Sequence, residues 1–288
     1  MRRNITLSGN PVMLAITLEG LQDANLKFMA EDPSKKNTAY QMRLIELKKG
    51  QQKIYVRLPL SPKQLSIVLW EAQNPKTKDV ILPYVRITNI EKMALPQKID
   101  QPILRDKNVK EFLRFAEEFS LKAGFISAVD SVYKSDNGKF TIIYFDEIKG
   151  ANGNAINTPA RINQNNGTIE ISASKFRKYS IPMRMAILLH EFSHYWLNKD
   201  MANETEADLN ALQIYLGLGY PRLDAINVFL NVFMGSPTES NRDRWESLKA
   251  FIQEFEQNTI VRKDGASMKL LKNKLLKREK PYVNFVNE

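Results

Sequence analysis

The chain has 288 residues, 43% of them hydrophobic and 26% charged, a globular balance that provides for one good core or two modest ones. It has no cysteine, which excludes disulfides, Cys-ligated zinc and iron–sulfur sites and leaves His and carboxylates to hold any metal. The net charge of +10 attracts acidic partners, whether nucleic acid, an anionic membrane surface or an acidic protein. No nucleic-acid-binding motif accompanies that charge, and solubility accounts for it equally well.

At the start of the chain Arg2 and Arg3 precede an apolar run over residues 12–18, at the minimum length for a signal core and without an A-x-A-like site before Glu19. The run reads as a strand. No apolar stretch approaches the roughly 18 residues that span a bilayer, so no transmembrane segment is expected. With cysteine absent as well, a cytoplasmic location is expected.

From residue 5 to about 90 the apolar pattern has period two: Ile54, Val56, Leu58 and Leu60 share one face, with Lys53, Tyr55 and Arg57 on the other. Further strands are predicted over 12–18, 26–29, 39–47, 65–71 and 80–90, punctuated by turn-rich segments such as "EDPSKKN" and "QNPKTKD". Six or seven such strands predict a small β-sandwich over residues 1–94, free of histidine and suited to docking a partner.

The stretch "LPQKIDQP", residues 95–102, reads as a linker. Beyond it the period changes, and Phe112, Phe115, Ala116 and Phe119 predict an amphipathic helix over 107–123. "KFTIIYFDEI" reads as a buried strand and "NGTIEISASKF" as a second one; its residues 167–172 are either an internal strand or a sheet edge on which an extended peptide lies.

"SIPMRMAILLHEFSHYWLN" reads as a largely buried helix with Pro182 in its first turn. It contains the only two histidines of the chain, His190 and His194, one turn apart on one face, with Glu191 directly after the first. Chance orders a composition like this one so on the order of once in a thousand times. Two imidazoles so placed reach a single tetrahedral cation, and Glu191 reaches water held there as general base.

A third ligand is required, and "NETEAD" offers carboxylates. Asn203 with Glu206 three residues on reads as an N-cap with its capping-box partner, so a second helix starts at Glu204. Glu204 and Asp208 then share a face: Glu204 completes the metal shell and Asp208 supports the outer nitrogen of a ligand histidine. Asp200 is the rival third ligand, but the arrangement that uses that position needs glycine where this chain has Leu197. Glu204 is therefore preferred.

These residues resemble the gluzincin metallopeptidases, whose pattern is HExxH followed by ExxxD on a second helix. "ETEADLNALQIYLGLGYPRLDAINVFL" is similar to the "ExEADxxAL…GYxP" run of the prenyl-protein endopeptidases and their soluble bacterial relatives, with an echo of ImmA/IrrE-type peptidases. "SPTESNRDRWESLKAF" is similar to their "THPxxxxRxxxL" segment, with Arg242 or Arg244 at the arginine position. The resemblance covers residues 180–250 or so and departs at Ser236, where those relatives carry a histidine. It implies a zincin-like domain over residues 103–256, Zn2+ as cofactor and hydrolysis of a peptide or protein substrate. Without a third histidine, oxyanion stabilisation falls to Tyr215, Tyr220, Arg244 or backbone N–H groups.

Residues 257–288 complete the chain, with a basic helix over 267–280 and an alternating tail "YVNFVNE" able to add as a strand to another chain. The overall expectation is α+β: a β-sandwich, a zincin-like metallopeptidase domain and a basic C-terminal helix. Sandwich, basic body and tail equally suit an alternative, a homo-oligomeric assembly protein such as a phage virion ring or tail component built on a zincin-like scaffold.

Overall fold

A computed structural model of the chain describes residues 1–95, 102–128, 131–233 and 238–261. The basic helix and tail expected after residue 261, most of the linker, and Ser236 lie outside the described residues. The architecture is α+β.

Seven strands form the first unit: β1 (Arg2–Thr6), β2 (Val12–Gly20), β3 (Ala24–Glu31), β4 (Ala39–Leu47), β5 (Gly50–Leu58), β6 (Gln64–Glu71) and β7 (Val85–Met93). They pair antiparallel in two sheets, ordered β1-β6-β3-β4 and β5-β2-β7. Alternation explains the layers: Ile54, Val56 and Leu58 point inward from β5 and meet Leu26, Phe28, Ile67 and Leu69 of the other sheet in one shared core. The last predicted strand is shifted, since residues 80–84 form a loop and pairing with β2 starts at Val85.

The second unit has a four-stranded sheet, ordered β10-β11-β9-β8, from β8 (Ser131–Lys134), β9 (Thr141–Phe145), β10 (Ala160–Ile162) and β11 (Ile169–Ser172). Around it lie α1 (Lys107–Lys122), the single turn α2 (Ala173–Phe176), α3 (Ile181–Trp196), α4 (Glu204–Gly217), α5 (Arg222–Val228) and α6 (Glu239–Val261). The segment expected to be wholly strand at 166–176 ends instead in α2. Asp106 caps α1, Ser180 caps α3 and Asn203 caps α4, each side chain accepting from the backbone N–H three residues on. Phe112 of α1 stacks on Phe192 of α3 at 4.1 Å, which fixes these helices against each other.

Helix α3 belongs to both units. Every residue from Ile181 to His194 is buried, and Ile181, at its first turn, sits in the core of the sandwich. One turn later the fully buried guanidinium of Arg184 donates to four backbone carbonyls: Phe176 at 3.2 Å, Ser120 at 2.9 Å, Arg177 at 3.1 Å and Asn37, on the β3–β4 turn of the sandwich, at 2.6 Å. Asn37 in turn donates its amide to the Gly124 carbonyl at 3.1 Å. A Cβ at Gly124 would lie 2.5 Å from the Asn37 oxygen, so only glycine allows this approach. The two units are thus joined through buried polar contacts.

A second junction contact is Asp224, 2% exposed at the start of α5, which accepts from Ser180 Oγ at 3.3 Å. Burial pushes its carboxyl up to about 7, against the Ser180 hydrogen bond and the nearby Arg43 of β4.

Two outcomes are expected. Arg184→Met removes one donor from each of four backbone carbonyls, of which those of Ser120 and Phe176 belong to buried residues, and lowers stability by about 2–4 kcal/mol in urea unfolding. Asp224 ionises near pH 4 in the unfolded chain but near 7 when folded, so its contribution is full at low pH and is lost as pH rises between those values. Asp224→Asn therefore flattens the decline in stability from pH 4 to 7, and at pH 8 it stabilises by about 1–3 kcal/mol in the same assay.

Candidate metal centre

The last two turns of α3 and the first two of α4 run antiparallel, which places His190 beside Asp208 and His194 beside Glu204. Both helices are buried nearly all round, so each polar side chain on them needs a partner in the protein. The Nε2 atoms of His190 and His194 are 3.0 Å apart, and the Glu204 carboxylate oxygens lie 3.4 Å from the first and 3.6 Å from the second.

These spacings suit a shared ion. A tetrahedral zinc with bonds near 2.05 Å separates its ligand atoms by about 3.3 Å, within the range of the three distances. The charges also fit: Glu204 and Asp208 share the cationic side chain of Arg244, and Glu191 adds a third carboxyl beside His190, which leaves negative charge in excess when both rings are neutral. Two imidazoles and a carboxylate are a donor set that Zn2+ accepts.

The surrounding contacts orient the rings. His194 Nδ1 lies 2.7 Å from the carbonyl of Met201, in the turn between the helices. His190 Nδ1 lies 2.9 Å from Asp208 Oδ1, a close but oblique approach. Asp208, fully buried, receives Arg244 Nε at 2.8 Å on its other oxygen, and Arg244 Nη2 reaches Glu204 at 3.3 Å. Burial pushes the His190 imidazolium down, but Asp208 and Glu204 outweigh it and lift the ring to about 10, while burial and the His190 charge push His194 down. Burial raises the Glu204 carboxyl, yet His190 and Arg244 hold it down near 2.

Glu191, on the neighbouring face of α3, is 7% exposed. Burial pushes its carboxyl up to about 7, opposed by His190 and by a hydrogen bond from the Ile162 N–H. That N–H belongs to β10, the edge strand of the sheet.

Several expected residues fall elsewhere. Asp200 is exposed in the inter-helix turn, where its carboxylate accepts from the Ala202 N–H at 3.0 Å. Leu197 has φ −124°, so the chain does not make the left-handed reversal that the rival ligand needs. Glu206 accepts from the Lys199 N–H at 3.1 Å, bracing that turn, while Asn203 alone caps α4.

Tyr215 and Tyr220 stack on each other in the core, and Tyr215 donates to the Pro221 carbonyl. Arg242 is exposed, and Arg244 is the arginine that reaches the cluster. Its guanidinium meets the Asp208 carboxylate at 2.7 Å and the Glu204 carboxylate at 3.3 Å. Residues 167–172 were a candidate peptide-binding edge, but β11 lies between β10 and β9, because the short strand β10 was not legible and takes the edge.

Among the described residues, His190, His194 and Glu204 are the one group of three that could hold a metal ion. No protein-family model, curated protein or solved structure matches this chain, so its likeness to gluzincins stands on the motif residues alone. Elemental analysis is expected to give about one zinc per chain for the wild type and for Asp200→Ala, and well under one for His190→Ala, His194→Ala and Glu204→Ala. Retention of zinc by Glu204→Ala together with its loss from Asp200→Ala would reverse the ligand assignment.

Proposed function

We propose that this protein is a zinc-dependent endopeptidase. The observation that carries the proposal is the convergence of His190, His194 and Glu204 on one point with a buried carboxylate, Glu191, on the adjoining face of the same helix. His190, His194 and Glu204 would hold the ion. Zinc supplies Lewis acidity to such a site, polarising a peptide carbonyl and making water more acidic.

Glu191 takes the proton from the attacking water and returns it to the departing amine, so one carboxyl serves as base and then acid. Asp208 and Arg244 keep the ligand side chains in place while this happens. Glu204 is half-exposed, so the cluster is open to solvent on its side.

The outer edge of β10 is where an extended substrate would add as a further strand, displacing or flanking the Ile162 N–H contact with Glu191. Its pairing with β11 uses one side of the strand, and the Ile162 N–H looks the other way, toward Glu191. A chain laid along that edge passes beside the proton acceptor.

Glu191→Gln is expected to keep its zinc and to lose about 10²–10⁴-fold in kcat/KM on casein or in self-cleavage. Equal activity in the variant would remove Glu191 from the chemistry. A zinc-loaded wild type that cleaves nothing, yet forms a symmetric oligomer resistant to chelation, would favour the assembly role instead.

A further inference from the structure

We propose that Phe233 is a positioning residue, whose ring sets the plane in which His190 presents Nε2, an inference that rests on the zinc-peptidase reading above. The two imidazoles are held by different means. His194 directs Nδ1 at a backbone carbonyl, a partner fixed by the turn that carries it. His190 has the oblique Asp208 approach, which locates Nδ1 but restrains rotation of the ring weakly.

Phe233 supplies the missing restraint. Its ring lies over the His190 ring with centroids 3.9 Å apart and planes 20° apart. His194 lies 4.6 Å from the same ring at 87°, with the two Nε2 atoms 3.0 Å apart. The Phe233 face covers one face of His190, and tilting the ring toward that side means displacing Phe233.

The segment that delivers Phe233 is built for this. α5 passes into a π-turn, Phe229–Phe233, whose wider winding changes the direction in which residue 233 leaves the helix. Phe229, buried in the helical core, backs the Phe233 ring at 5.5 Å. The Phe233 carbonyl accepts from Arg244 Nη1 at 3.4 Å, and Arg244 also holds Asp208. Both supports of the His190 ring are thus tied to one guanidinium.

The test compares zinc affinity, by chelator competition on the full chain, with the visible spectrum of the Co2+-loaded protein. Phe233→Ala is expected to weaken zinc binding about tenfold or more and to shift the cobalt bands. Phe233→Tyr keeps both properties, while Phe233→Leu, which restores bulk without a flat face, follows the alanine variant. Melting of the zinc-free proteins checks folding; should Phe233→Ala melt early, the contrast between the leucine and tyrosine variants carries the test.

Leucine and alanine variants that bind zinc within about twofold of wild type, with unchanged cobalt spectra, overturn this inference alone. A normal leucine variant beside a defective alanine variant overturns it too, since Phe233 then only fills space. A wild-type chain that binds no zinc overturns the reading of the site and this inference with it.

Discussion

The site depends on one constraint: α3 has no exposed face from Ile181 to His194. A helix enclosed in this way cannot leave a polar side chain to water, so the polar groups on it turn to the protein. Arg184 has four carbonyls, Ser193 has the Leu189 carbonyl, His194 has Met201, Glu191 has the Ile162 N–H and His190 Nδ1 lies obliquely 2.9 Å from Asp208. Because the first turn of the helix is part of the sandwich core, the histidines near its other end are set by packing in both units. The sandwich is in this sense a foundation for the histidine pair.

Electrostatics then sorts Glu204 and Asp208, the two acidic residues of α4 that face the histidines. Asp208 is fully enclosed and receives Arg244, so it can serve only as a fixed support. Glu204, one turn earlier and half-exposed, keeps its carboxylate turned toward both Nε2 atoms. The difference comes from position along α4, since Glu204 opens the helix at the protein surface while Asp208 is one turn deeper. Two carboxylates of similar intrinsic chemistry thereby acquire different tasks.

Much of this was legible from local pattern. Apolar patterning located six of the seven strands of the sandwich, whereas β1, which has no buried residue, gave no such pattern and was not predicted. Helical spacing placed His190 and His194 on one face, and the Asn203 cap located the start of α4 to the residue. The three-residue strand β10 was not legible, being too short to show any alternation, and so the sheet edge was sought in β11. The turn α2 was missed for the same reason. Tyr215 and Tyr220 were chosen as polar-tipped residues near the motif in sequence, whereas the packing of α4 turns them into the core. Phe233 carried no chemical signal at all; an aromatic residue gains its role only through the ring beside it.

The sequence by itself determined the grouping of His190, His194 and Glu204, the period of most long elements and the identity of the two helices, because these follow from spacing within a few residues of one another. Only the tertiary structure decided that Arg244 rather than Arg242 meets the carboxylates, that Arg184 joins the two units and that Phe233 lies on His190. Those contacts span long separations along the chain and depend on how enclosed helices meet, and no local periodicity encodes that.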